Sequence, residues 1–130
     1  MPGPARTGVL IYASDIARVS AFYEGVLGAR LLHADVGRRV IESPDVQLLI
    51  YAFPAEHAAE VVVTQPPVPR DRQAIKPFFT VDNLAAAEAL VEQLGGIVWG
   101  PIWPGPGLQV RNVCDPEGNI MHLRERVEPR

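Results

Sequence analysis

Residues 9–28 read Val-Leu-Ile-Tyr-Ala-Ser-Asp-Ile-Ala-Arg-Val-Ser-Ala-Phe-Tyr-Glu-Gly-Val-Leu-Gly. The apolar run over 8–13 is rich in β-branched and aromatic residues and predicts a strand. Ser14-Asp15 supplies a helix N-cap, because a short side-chain oxygen can accept from the first free backbone N–H groups. Ile16, Val19, Phe22, Tyr23, Val26 and Leu27 then recur at spacings of three and four, one apolar helical face. Gly28 suits the left-handed residue that ends such a helix.

Working outward, strands are predicted from Leu31, over 38–41 and over 46–53, with Ser43-Pro44-Asp45 as a turn. A short helical turn over 55–59, an extended stretch over 61–64 and a proline-rich linker over 66–72 follow. The pattern then starts again. A strand over 78–81, an Asp82-Asn83 cap, apolar Leu84, Ala87, Leu90, Val91 and Leu94, and a Gly95-Gly96 stop repeat the opening. Strands over 97–99, 108–113 and 119–124 complete it, with Asp115-Pro116-Glu117-Gly118 as a turn. Asp15 matches Asp82 at an offset of 67, and Ser43 matches Asp115 at an offset of 72. The expected fold is therefore α+β, two βαβββ modules in one domain spanning 1–130: module one about 6–54, linker about 55–73, module two about 74–126. Thirteen prolines in 130 residues mark the connections; the cluster Pro101, Pro104, Pro106 is expected in a loop, because proline breaks helices and central strands.

Composition excludes several classes. Hydrophobic residues are 48% and charged residues 21%, which argues against disorder. No apolar run nears the roughly 18 residues of a membrane-spanning helix. A net charge of -3 gives no reason to expect nucleic acid or an anionic membrane as partner. The opening Met-Pro-Gly-Pro-Ala-Arg lacks a signal-type apolar stretch, and the single Cys114 allows no internal disulfide, so a cytoplasmic location is expected. No phosphate loop, nucleophile elbow or zinc-finger spacing is present.

Phe22-Tyr23 followed by Leu27-Gly28 behind Asp15, and the ending Asp115-Pro-Glu-Gly-Asn-Ile120, resemble the vicinal oxygen chelate superfamily. That superfamily includes glyoxalase I, extradiol dioxygenases, fosfomycin-resistance enzymes and bleomycin-binding proteins. The resemblance implies paired modules whose curved sheets form a cup, and a homodimer. It also implies a divalent metal in the enzymes, held by His, Glu or Gln on the first and last strand of each module. By spacing, the equivalent positions here are Gly8, Ile75 or Lys76, Ile50 and His122. Glycine and isoleucine have no donor, an ammonium repels a cation, and one imidazole does not hold a metal alone. A one-residue slip to Thr7 or Val9 supplies no good ligand, and His33 and His57 fall elsewhere. No metal and no other cofactor is therefore expected.

Strand alternation then gives the lining of the expected cup. The inward sets are Gly8, Leu10, Tyr12; Leu48, Ile50, Ala52; Lys76, Phe78, Thr80; and Ile120, His122, Arg124. Candidate ligand-binding residues are Tyr12, Ile50, Lys76, Phe78, Trp99, Trp103, Arg111 and His122. Trp103 is read either as a lid or as a loop anchor, and Arg111 either as an anion contact or as a surface residue. Cys114 is expected to be a small buried side chain, and no catalytic residue is assigned. Such a lining suits a small, partly aromatic or apolar ligand. The leading expectation is a metal-free binding protein of the bleomycin-resistance type. A basic drug would find little acidic attraction here. The rival is a divergent lyase, isomerase or dioxygenase with a relocated metal or a His122 or Lys76 base.

Overall fold

The computed structural model describes residues 5–127. The chain divides between Val63 and Thr64 into two compact units. In the first, β1 (Gly8–Ala13), α1 (Ile16–Leu27), β2 (Arg30–Ala34), β3 (Arg38–Glu42) and β4 (Gln47–Ala52) are followed by the single turn α2 (Ala55–Ala58). The strand order is β1-β4-β3-β2, with β1 parallel to β4 and the other pairs antiparallel. In the second, β5 (Phe78–Thr80), α3 (Leu84–Gln93), β6 (Ile97–Gly105), β7 (Leu108–Cys114) and β8 (Ile120–Arg126) give the order β5-β8-β7-β6, with β5 parallel to β8. Both are βαβββ modules, as the repeat predicted.

Local chemistry accounts for the helices. Asp15 accepts from the Arg18 N–H at 3.0 Å, and Asn83 accepts from the Ala86 N–H at 2.8 Å. Each satisfies a donor that the first turn cannot pair internally. Gly28, at φ 66°, ends α1 in the left-handed conformation that its sequence position suggested. The apolar stripe of α1 then covers one face of its sheet. Val19, Phe22, Tyr23 and Val26 are buried with Ile41, Leu48 and Ile50. In the second unit Leu84, Ala87 and Val91 are buried with Phe79, Val113, Met121 and Leu123.

The Asp115–Asn119 turn anchors the segment leading into β5. The buried Asp115 carboxylate accepts from the Glu117 N–H at 2.8 Å, the Asn119 N–H at 3.1 Å and the Asn119 side chain at 2.8 Å. Gly118, at φ 89°, allows the chain to pass; a Cβ there would sit 2.2 Å from the Val68 carbonyl oxygen. The Gln73 amide then pairs with both backbone groups of Ile120, at 2.7 and 2.8 Å.

Two expectations are corrected. The helical repeat begins at Asn83, so the offset from Asp15 is 68. More consequentially, β6 does not stop at Trp99. It continues through Pro101 and Pro104 to Gly105, with a register shift between Trp99 and Trp103. Proline is tolerated there because β6 is an edge strand, and the missing N–H faces no neighbour. Gly100, at φ 74°, lies in the irregular stretch.

Candidate functional site

Each sheet has one face covered by its own helix and one face that is not. Neighbouring residues on a strand point to opposite faces, and residues directly paired across strands share one. His122 pairs with Phe78 on one side and Asn112 on the other, and Asn112 pairs with Trp99. The next row is Thr80, Arg124, Val110 and Trp103. These two rows form the uncovered face of the second sheet. The residues beneath them, Phe79, Leu123 and Arg111, face α3.

The side chains on this face touch. The Trp103 and His122 rings meet edge to face, with centroids 5.3 Å apart and planes at 88°. The Arg124 guanidinium carbon lies 3.7 Å from the centroid of Phe78, and its Nε donates a long hydrogen bond of 3.5 Å to the Thr80 hydroxyl. Phe78 remains 55% exposed, a large apolar ring on an open face. His122 titrates below its ordinary value, first because partial burial disfavours the imidazolium and second because the Lys76 ammonium is near. The ring is therefore neutral at neutral pH and can both donate and accept a hydrogen bond.

Of the eight candidates, Lys76, Phe78, Trp99, Trp103 and His122 are gathered in this region. Tyr12 is on the uncovered face of the first sheet. There it stacks on Phe53 at 5.7 Å and meets Tyr51 edge-on at 6.5 Å. Two candidates point elsewhere. Ile50 is fully buried on the helix side with Leu48, so neither belongs to an uncovered face. The offset of 68, applied to the parallel pairs Leu10–Leu49 and Phe78–His122, makes Leu49 the counterpart of His122. Arg111 is also on the helix side, where it donates to the Glu88 carboxylate of α3 at 3.2 Å. Trp103, expected in a loop, is a strand residue with its ring against His122. Asn112, Val110 and the contact role of Arg124 were missed. Reflection across the turn would have found the first two: Cys114 pairs with Ile120, which sets Asn112 opposite His122.

The positions at which the superfamily's enzymes hold metal thus read Gly8, Lys76, Leu49 and His122. Gly8 has no donor, and even a Cβ there would meet the Gln47 carbonyl oxygen at 3.1 Å. Among the described residues no three His, Cys, Asp or Glu side chains come together as a metal site. This donor set does not fit a divalent ion. Cys114 is buried, and burial first, with the nearby Asp115 charge, pushes its thiol up to about 11. It is not a thiolate nucleophile at neutral pH.

Paired βαβββ modules with aromatic uncovered faces define a class, and the comparisons give the family. The model of the Glyoxalase/Bleomycin resistance protein/Dioxygenase superfamily matches residues 7–123, and the chain belongs to that superfamily. Among solved structures, a glyoxalase/bleomycin resistance protein/dioxygenase family enzyme from Burkholderia phytofirmans PsJN is 20% identical, with a TM-score of 0.67 over 94% of this chain and 98% of that one. A glyoxalase/bleomycin resistance protein from Albidiferax ferrireducens T118 is 20% identical, with a TM-score of 0.67 over 92% and 97%. TioX from Micromonospora sp. ML1 is 16% identical, with a TM-score of 0.64 over 95% and 99%. At these identities the likeness is one of fold. Among curated proteins no relative matches. Among the described residues no helix is long and apolar enough to cross a membrane.

Proposed function

We propose that this chain binds a small, partly aromatic organic molecule and holds it without covalent change, a sequestering role of the antibiotic-resistance kind. The observation that carries this reading is the uncovered face of the second sheet. Trp99, Trp103 and Phe78 offer flat apolar surface there, while Asn112 and His122 offer hydrogen bonds. Flat apolar walls with a few convergent polar groups are the usual make-up of a small-molecule site. The set Gly8, Lys76, Leu49 and His122 supports binding over metal-dependent turnover, because it offers one usable donor. Cytoplasmic action as a homodimer belongs to the same proposal, and sedimentation analysis tests the oligomeric state.

The test is titration of tryptophan fluorescence with a panel of planar aromatic molecules that do not absorb in the emission band. The reading expects saturable quenching by at least one of them, and loss of about tenfold or more in affinity in Trp103→Ala, equivalent to about 1.4 kcal/mol. Unchanged affinity in that variant would remove Trp103 from the site.

A second reading is an enzyme that uses His122 as a base. Its support is the neutral imidazole on an uncovered face. It predicts that a bound compound is recovered chemically changed, and that His122→Ala abolishes the change while binding persists.

A further inference from the structure

Among the described residues, the charged side chains on the uncovered face of the second sheet have a single sign. Strands β5–β8 contain one acid, Glu125, and its carboxylate accepts from the Leu84 N–H at 2.7 Å, at the start of α3 on the helix side. The cations are on the other side. Arg124 shares the face of His122 and Thr80, Arg126 follows it at the same parity, and the Lys76 ammonium acts on the His122 ring. The whole chain carries a net charge of -3, so this face runs against the overall balance. Among the described residues, none of Lys76, Arg124 and Arg126 has an acidic partner; the three ion pairs there are His33–Asp35, Arg38–Asp35 and Arg111–Glu88.

Arg124 is also held in place. Its guanidinium lies over Phe78, and its Nε is directed to Thr80. Among the described residues the two terminal nitrogens have no partner, on a side chain whose rotamers are already restricted. A planar guanidinium in this state suits a carboxylate, which it can meet through two parallel hydrogen bonds. Little ordering entropy remains to be lost on binding.

We infer that the ligand is an aromatic acid: a planar ring system against Trp99, Trp103 and Phe78, with a carboxylate or comparable oxyanion received by Arg124 and favoured by Lys76. The inference rests on the aromatic-binding reading above and narrows it to one charge class. It also makes a cationic drug the wrong partner for this face, since like charges repel across it.

The experiment is calorimetric titration of the full chain with three probes that share a ring and differ in charge: 2-naphthoate, 2-naphthamide and 2-naphthylmethylammonium. The expected order of affinity is naphthoate first, at least about tenfold tighter than the amide, with the ammonium weakest. In Arg124→Gln the naphthoate advantage over the amide should fall to about twofold or less. Lys76→Gln should reduce the advantage by a smaller factor, and added salt should shrink it in the natural chain. Equal binding of naphthoate and amide, or tightest binding of the ammonium, overturns the acid assignment and leaves the aromatic reading standing. Binding of none of the three overturns both. A naphthoate preference that survives in Arg124→Gln overturns the role given to Arg124. Circular dichroism of the variants, matched to the natural chain, keeps misfolding from imitating any of these results.

Discussion

The two sheets are built alike on one side and differently on the other. Their helix-covered faces are interchangeable in kind: Ile41, Leu48 and Ile50 in the first, Val113, Met121 and Leu123 in the second, all buried. Their uncovered faces are not. The first offers Tyr12, Tyr51 and Phe53; of the two arginines that its register puts on that face among the described residues, Arg30 and Arg38, Arg38 is taken up by Tyr51 and the Asp35 carboxylate. Asp35 in turn is held well below the usual carboxylate range, chiefly by His33. The second offers two tryptophans and His122, and its Arg124 has no acid to satisfy it among the described residues. Burial of an apolar face is what the fold demands of both modules. The other face is free of that demand, so its chemistry carries the information about function.

The largest effect expected from breaking this comparison is on the shared side. Phe22→Ala removes a fully buried ring that meets Tyr23 edge-on at 5.0 Å, and should cost about 3–5 kcal/mol in urea denaturation. Next come the uncovered faces. Trp103→Ala should weaken binding of an aromatic probe by about tenfold, and Tyr12→Ala should weaken it by less, while both leave stability within about 1 kcal/mol. Equal losses would mean that the two faces serve the ligand alike. A smaller and symmetric effect is expected at the caps, because Asp15 and Asn83 do the same work. Asp15→Ala and Asn83→Ala should each cost about 1 kcal/mol by the same denaturation.

The smallest effect is a pH dependence. His122 has a folded pKa below its unfolded value of about 6.5. As pH falls below that value the unfolded chain takes up the proton first, so the stability tied to neutral His122 is present above it and is lost as pH falls through the folded pKa. His122→Gln should flatten this acid-side loss in melting temperatures taken between pH 7.5 and 5. An unchanged slope would show that the imidazole does not contribute to it.

The sequence made the helices, their caps and the repeat legible, because capping and 3.6-residue periodicity are local. What failed was non-local or depended on parity. The offset of 72, taken from the Ser43 and Asp115 turns, puts Ile50 on the uncovered face, whereas the strand register sets the last strands 73 apart and matches Leu49 to His122. A shift of one residue on a strand turns every side chain over. Arg111 shows the same sensitivity: its neighbour Asn112 shares the face of His122, while Arg111 turns to Glu88 on α3. The full length of β6 was hidden by its prolines, since edge position cannot be read from one strand alone. Trp103 thereby changed from a loop residue to the ring that touches His122.

The central claim is that ligand is held on the second sheet without a metal. It is tested most directly by calorimetric titration of the protein with 2-naphthoate, once after treatment with a chelator and once after loading with iron, nickel, zinc or manganese and desalting. The account predicts substoichiometric metal after loading, the same Kd in both preparations, and naphthoate recovered unchanged. Near-stoichiometric metal, with binding or turnover confined to the loaded protein, would contradict it.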